Sequence, residues 1–531
     1  MVTASPIREA FGARLSRHWG ALFHLAWPVV FSRAGLVVMA VADVVMTGRY
    51  DTEALAALSL GYAVTMPLLV TAIGCMVGII ATAPERPASR LLRHWRALFH
   101  LAWPVALSRA GLVVMLMVSV VMVGHAGTDE LAALSLGHAV FMPPLIAGIG
   151  CMVGIVATTA RAKGGGDPAT PEIALRGQRW ALVVGAAAWL LLLASEPLLR
   201  LIGHTPELVA GGGTVARMLA PGALFQVVFV AATFYLEGTG RPRPGVVAMA
   251  AANVVNLVLG WMLIGGRGGL PAMGAEGAAL GATLARLAMA AGLLAWMLRL
   301  PEFASLRAAP FRTWGPGGWA AGAEMRRIGL AGGAAYLFET AAFATLAQAA
   351  GLLGQTPLAA YTILHNIEAL VFMVALGLSV ATAVRIGQAA GAGDAADARA
   401  AGFAGLSMAM GVVGLTGLVL LAFAPAVVGF YSADAALVAR AAPLLAILAV
   451  SMVFDAGQVV LGQSTRALGD SWVTTGIFFV GFFCVMVPLG LLLAFRTPLA
   501  EAGLFIATAV GCATAAALLL GRFLRLVGRL R

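Results

Sequence analysis

Residues 362–390 read TILHNIEALVFMVALGLSVATAVRIGQAA, an apolar run with few charged side chains. Roughly 20 helical residues are enough to cross the hydrocarbon core of a bilayer, which is about 30 Å thick. The apolar residues are continuous rather than alternating, which favours a helix over a strand of a membrane β-barrel. Similar runs recur along the chain, and no block of polar sequence forms a separate soluble domain.

The composition agrees with a bilayer environment. Of the 531 residues, 61% are hydrophobic and 11% are charged, whereas a soluble protein usually has about 25% charged residues. The formal net charge is +11, but the arginines lie in short loops between apolar runs, so we predict a lipid partner and no nucleic acid. The cysteines lie in apolar segments, which predicts buried thiols rather than disulfides.

An internal repeat opens the chain. Residues 17–82 begin RHWGALFHLAWP, residues 93–158 begin RHWRALFHLAWP, and the two segments align without gaps at mostly identical positions. Each copy contains two apolar runs, so we interpret the repeat as a tandem duplication of a helical hairpin. The first apolar run is too long for a signal peptide, and we expect it to be retained.

The apolar runs predict an all-α polytopic membrane protein with about 14 transmembrane helices. The predicted segments are 22–47, 57–82, 98–123, 133–158, 180–202, 214–236, 246–266, 275–299, 328–353, 362–390, 401–424, 438–461, 472–495 and 500–524. Arginine-rich loops alternate with loops that have few positive charges, which places both termini in the cytoplasm.

The longest connection between apolar runs is rich in Gly, Pro and Arg. It predicts two six-helix lobes joined by a linker, the organisation of a transporter built from two parallel repeats. The predicted domains are the extra N-terminal hairpin at 1–92, an N-lobe at 93–300, a cytoplasmic linker at 301–327 and a C-lobe at 328–531.

Motifs for ATP hydrolysis and zinc catalysis are absent from the sequence. Lys163 is followed by Gly164 rather than by Ser or Thr, and there is no HExxH. His365 and Glu368 share one helical face, but two residues do not make a metal site, so we interpret them as a polar patch. We therefore predict no catalytic residues, no metal and no cofactor, and hence no enzyme.

Acidic residues inside the apolar runs are the strongest functional indication. An ionisable group in a span is energetically costly and usually faces the bundle interior or a transport pathway. A carboxyl group in a dry environment becomes neutral or binds a cation, which is the chemistry of a proton- or sodium-coupled carrier. The alternative is a protonated carboxyl or one paired with a local hydroxyl. The candidates are Asp43, Glu339, Glu368 and Asp455.

Arg33 and Arg109 also lie in apolar runs, near the predicted cytoplasmic side. We expect their side chains to snorkel toward that surface.

Several segments together resemble the MATE (multidrug and toxic compound extrusion) family. The similarity covers about residues 98–525, with residues 17–82 as an extra copy of the opening hairpin. The matching segments, in order, are LAWPVALSRAGLVVMLMVSVVMVGHAGTDELAALSLG (first helix), YLEGTGRPRPG (end of the fourth), NVVNLVLGWMLIGG (fifth), LFET with LAAYTILHNIEALVFMVALGLSVATAVRIGQAAGAGD (seventh and eighth) and FDAGQVVLGQSTRALGD (tenth).

This resemblance implies two lobes around a cavity that opens alternately to either side. It implies secondary active efflux of organic cations in exchange for H⁺ or Na⁺. We expect a monomer in the bacterial inner membrane, since the Ala- and Arg-rich composition indicates a high-GC bacterium.

The resemblance also assigns roles to individual residues. Glu339 and Asp455 match the acidic, ion-coupling positions of the seventh and tenth helices. Asp43 matches an acidic position of the first helix, although the second copy has Ser119 there and Gly260 replaces a further acid in the fifth helix. The residues predicted to line the substrate cavity are Asn253, Asn256 and Glu368.

Two questions stay open at the level of sequence. We expect residues 93–158 to fill the usual first-hairpin position, because only they run directly into the next family helix; alternatively, residues 17–82 dock there and displace them. The rival functions are a lipid-linked oligosaccharide flippase, which requires a strongly cationic cavity, a membrane-embedded enzyme, and a transport-inactive duplicate.

Overall fold

The computed structural model describes residues 90–124, 128–168, 170–202, 206–267, 269–304, 316–431 and 435–530. The first half of this part is helical. Its helices are α1 (Arg90–Gly124), α2 (Thr128–Cys151), α3 (Val153–Gly164), α4 (Thr170–Leu193), α5 (Ser195–Ile202), α6 (Pro206–Gly238), α7 (Arg243–Ile264) and α8 (Gly274–Leu298), followed by a 3₁₀ turn (Pro301–Phe303).

The second half repeats this organisation of long helices with short connections. Its helices are α9 (Pro316–Ala321), α10 (Ala323–Leu353), α11 (Gln355–Gly391), α12 (Ala395–Ala422), α13 (Ala424–Tyr431), α14 (Ala435–Ala441), α15 (Leu444–Ala467), α16 (Trp472–Phe479), a π-helical segment (Val480–Met486), α17 (Val487–Arg496) and α18 (Glu501–Val527).

Within the described residues, 11 helices are long and apolar enough to span a membrane, or up to 12 if the bent pair α4–α5 forms one span. The axes of that pair differ by 53°. Every predicted segment from 98–123 onward overlaps one of these helices, which confirms the all-α membrane fold. The predicted segments 22–47 and 57–82 lie outside the described residues.

The buried apolar side chains form two clusters. One draws mainly on residues 105–303 and the other mainly on residues 335–530. Small residues dominate many of the helix contacts, as is usual where helices pack inside a bilayer. Each half of the chain therefore has its own core; we call them the N-bundle (α1–α8) and the C-bundle (α10–α18). The domain boundaries named above stay predictions.

The two bundles touch where α10 and α11 pack against α1, α2 and α3. Glycine is required at two of these contacts. A Cβ atom on Gly154 would lie 1.9 Å from the Met325 carbonyl oxygen, and one on Gly329 would lie 2.0 Å from the Cys151 carbonyl oxygen. Both clashes are with backbone atoms, which cannot rotate away as a side chain can, so the bundles are held in direct backbone contact.

These glycine contacts lie in the first turns of α10 and at the junction of α2 and α3. The last turns of α3 and α11 meet farther toward the same end of the molecule. At this end the Arg161 Nη2 atom donates a hydrogen bond to Glu324 Oε1 at 2.7 Å, and a Cβ atom on Gly391 would lie 2.1 Å from the Arg161 carbonyl oxygen. It is the end from which the arginine-rich loops emerge, which the sequence predicts to be cytoplasmic. The bundles are thus closed together on that side.

We predict that Gly329→Ala lowers the thermal unfolding temperature, because overpacking a close contact typically destabilises by about 1–3 kcal/mol. Gly521→Ala is the matched control: it also lies in a long helix, but no atom lies within 4 Å of its added Cβ. Differential scanning fluorimetry of the purified variants measures the effect. Equal unfolding temperatures for the two variants would contradict the close packing of the bundles.

Candidate functional site

Three acidic side chains lie near one another in the core of the C-bundle. Glu339 is on α10, Glu368 on α11 and Asp455 on α15. Glu368 and Asp455 are each 4% exposed, while Glu339 is half-buried. Their carboxyl groups are close enough for their charges to interact. The structure therefore brings together three of the four acids predicted from the sequence; Asp43 lies outside the described residues.

Hydrogen bonds hold two of these carboxyl groups in place. Asp455 Oδ1 accepts a hydrogen bond from Gln458 Nε2 at 2.8 Å, and Cys512 Sγ lies 3.8 Å from the same oxygen. Glu368 Oε2 lies 3.3 Å from His365 Nδ1, while its other oxygen is buried without a hydrogen-bond partner among the described residues. The carboxylate cluster, defined as Glu339, Glu368 and Asp455, thus retains unused acceptor capacity.

Aromatic rings surround the His365 side of the carboxylate cluster. His365 stacks on Tyr361 with ring centroids 5.9 Å apart, and it lies beside Phe343 at 5.3 Å. Tyr361 in turn stacks on Phe505 at 5.3 Å. Rings of this kind attract cations through their faces. This aromatic group was not predicted from the sequence, although Tyr361 and His365 share one face of α11 at i, i+4 spacing.

A second polar group lies beside Glu339. Gln463 Nε2 on α15 donates to Tyr336 Oη on α10 at 3.1 Å. Arg466, in the last turn of α15, is 2% exposed, and its Cζ atom lies 5.1 Å from the centroid of the Phe478 ring. Arg466 was not predicted from the sequence either, because basic residues are common in the last turn of a helix, where they interact favourably with its dipole.

Asn253 and Asn256, predicted to line the substrate cavity, fasten α7 to α1. Asn253 Nδ2 donates to the Gly111 carbonyl oxygen at 3.1 Å, and Asn256 Nδ2 donates to that of Met115 at 3.3 Å. Neither residue lies in the carboxylate cluster, since both are in the N-bundle. Their role in a substrate cavity stays a prediction.

Ser119, at the position equivalent to Asp43, also belongs to this contact. It lies 3.4 Å from the Asn256 amide, and its own hydroxyl donates to the Met115 carbonyl oxygen at 3.1 Å. The second copy of the hairpin therefore packs into the N-bundle through α1 and places a hydroxyl where the first copy has a carboxyl.

The snorkelling interpretation of Arg109 is wrong, while Arg33 lies outside the described residues. Arg109 is 6% exposed and Glu237 is 1% exposed. The Arg109 Nη2 atom donates to Glu237 Oε1 at 3.2 Å, and its guanidinium lies 4.8 Å from the centroid of the Phe234 ring. The two charged residues lie far apart in sequence, on α1 and α6, so an inward-facing ion pair could not be identified from a local pattern.

No group of three or more His, Cys, Asp or Glu side chains in the described ranges could hold a metal ion.

Comparisons with known proteins match most of the chain. The MatE family model matches residues 104–262 and 333–492. A protein of Caulobacter vibrioides named "Probable multidrug resistance protein NorM" is 35% identical over 448 residues, which cover 83% of this chain and 94% of that relative. "Multidrug resistance protein PmpM" of Pseudomonas aeruginosa is 29% identical over 455 residues, covering 83% and 94%. The family match begins within the second copy of the hairpin.

Solved structures share the fold. The eukaryotic MATE transporter AtDTX14 superposes with a TM-score of 0.74 at 19% identity, covering 83% of this chain and 99% of that one. A structure described as the outward-facing conformation of a multidrug resistance MATE family transporter gives a TM-score of 0.74 at 22% identity, covering 84% and 99%.

We predict that Arg109→Ala destabilises the protein by about 3–5 kcal/mol, because it leaves the Glu237 carboxylate buried without a counter-charge. Arg109→Ala combined with Glu237→Ala should recover part of this loss. Arg200→Ala is the control, since that side chain is 73% exposed and 3.8 Å from Glu196, and surface pairs contribute little. Thermal unfolding distinguishes the variants; a double variant less stable than Arg109→Ala would refute the buried ion pair.

Proposed function

The chain belongs to the MatE family, and from this premise we propose that it is a secondary active multidrug exporter that exchanges organic cations for H⁺ or Na⁺. In this proposal it acts as a monomer in the bacterial inner membrane with both termini in the cytoplasm. It needs no resident cofactor beyond the coupling ion. The names of its relatives, which refer to multidrug resistance, support the proposed substrate class.

The observation that carries the proposal is the carboxylate cluster in the C-bundle. Three acids that interact through space cannot all remain charged in a dry interior without positive charge nearby. A proton, a sodium ion or an organic cation supplies that charge, and each of them competes with the others.

Exchange follows from this competition if the bundles have two arrangements. The coupling ion and the drug bind to the same acids. Binding of the ion therefore weakens binding of the drug, and binding of the drug weakens binding of the ion by the same free energy. The described arrangement is closed at the predicted cytoplasmic end, and in this proposal the bundles open to the outside at the opposite end. There, H⁺ or Na⁺ displaces the drug, and the ion-loaded protein then opens inward to release the ion.

The acidic character of the carboxylate cluster favours this function over its rivals. A flippase for a pyrophosphate-linked oligosaccharide requires a cationic cavity, whereas the carboxylate cluster has three acids. An inactive duplicate has no reason to keep three buried carboxyl groups together, since each unpaired charge destabilises the fold.

We predict that Glu339→Gln and Asp455→Asn each lower ethidium efflux at least about tenfold, since losing roughly 1.4 kcal/mol of coupling changes an equilibrium tenfold. The assay uses cells that lack their main exporters, with matched expression. Glu207→Gln is the control, because Glu207 is exposed in the first turn of α6 and should leave efflux unchanged. Full efflux by both core variants would overturn the proposal.

The efflux activity of an Asp43→Asn variant tests which copy of the hairpin takes part in transport within the N-bundle. Because Ser119 occupies the equivalent place in α1, we predict that this variant retains efflux within about twofold, as substitutions outside a working site usually do. Loss of efflux with normal expression would instead place residues 17–82 inside the working N-bundle.

A further inference from the structure

Arg466 is a buried cation with two guanidinium nitrogen atoms that make no hydrogen bond among the described residues. These atoms are Nε and Nη2, and the aromatic face of Phe478 is the stabilising contact of Arg466. A buried guanidinium without a bonded carboxylate is unfavourable. An arrangement with these features is expected where the charge gains its partner in another state of the protein.

The carboxyl group that interacts electrostatically with Arg466 is that of Glu339. The Tyr336 phenol interacts with both groups. α15 is the third span after α10 and so runs in the opposite direction. On α10, Tyr336 lies one turn closer to the closed end than Glu339 does. On α15, Gln463 lies one turn farther from the closed end than Arg466 does. The Tyr336–Gln463 hydrogen bond therefore lies between the guanidinium and the Glu339 carboxyl.

We propose that Arg466 is a tethered counter-cation that competes with the transported cation for Glu339. In the described arrangement, the Tyr336–Gln463 bond keeps the two groups apart, and Glu339 is available to an incoming cation. When that bond breaks, Arg466 reaches Glu339 and neutralises it, so the cation is released without leaving a bare carboxylate in the interior. The role in release rests on the proposed exporter function; the pairing of Arg466 with Glu339 does not.

Other charged and titratable groups set the background for this pair. Those that interact with Glu339 besides Arg466 are Glu368 on α11, Asp455 on α15, Tyr336 on α10 and Cys512 on α18. The first two are acidic, so removing Arg466 leaves the carboxylate cluster without its internal positive charge. A variant that keeps the charge, Arg466→Lys, separates this effect from a loss of packing.

A double-mutant cycle in thermal unfolding tests the pairing without any substrate. We predict that the effects of Arg466→Gln and Glu339→Gln on the unfolding temperature are not additive, and that the double variant is more stable than the sum of the two single effects requires, because neither charge is then left alone. Arg466→Lys should unfold near the wild-type temperature. Strictly additive effects would overturn the pairing.

Ethidium binding to the same purified proteins tests the competition. If Arg466 is paired with Glu339 in about nine molecules of ten, replacing Arg466 by a neutral residue raises the apparent affinity for ethidium about tenfold. Arg466→Gln should therefore bind ethidium more tightly, Arg466→Lys should match wild type, and the gain should vanish in the Glu339→Gln background. Unchanged or weaker binding by Arg466→Gln would overturn the competition. A folded wild type that binds no ethidium would contradict the exporter function, while the unfolding cycle still decides the pairing.

Discussion

The electrostatic constraint on Glu339, Glu368 and Asp455 underlies the proposed function and the arrangement of the helices around it. Three carboxyl groups in one poorly solvated region repel one another, and each charged form is unfavourable in the interior. The region is stable when protons, bound cations or internal positive groups balance the acids. A protein that exchanges one cation for another needs such a region, because the negative charge of the acids can be balanced by either cation.

The fold supplies what this constraint requires. Each of the helices α10, α11 and α15 places one acid near the middle of a long span. Hydrogen-bonding distances to His365 and Gln458 position two of these acids, and the Tyr361 ring stacks on His365. The backbone contacts at Gly154 and Gly329 hold the two bundles together on one side. Two bundles with separate cores can move as units about such contacts, which is the motion that alternating access needs.

Much of the fold and part of the site could be predicted from the sequence. The spans are visible because a continuous apolar run of about 20 residues matches the thickness of a bilayer, and Glu339 and Asp455 stand out because acids in such runs are costly. The inward orientation of Arg109 could not be predicted, because its partner Glu237 lies 128 residues away. The burial of Arg466 could not be predicted for a different reason. A basic residue in the last turn of a helix is common at the membrane surface, so the sequence does not distinguish a buried arginine there from an exposed one.

The most direct test of the shared carboxylate cluster is the number of ions released when ethidium binds to purified protein in weakly buffered detergent solution. A pH-sensitive dye reports H⁺, and a sodium-selective electrode reports Na⁺. We expect ethidium binding to displace about one positive charge, as competition for one site requires, and Glu339→Gln combined with Asp455→Asn to abolish the release. Ethidium binding by the wild type with no release of either ion across the pH range would contradict a shared site.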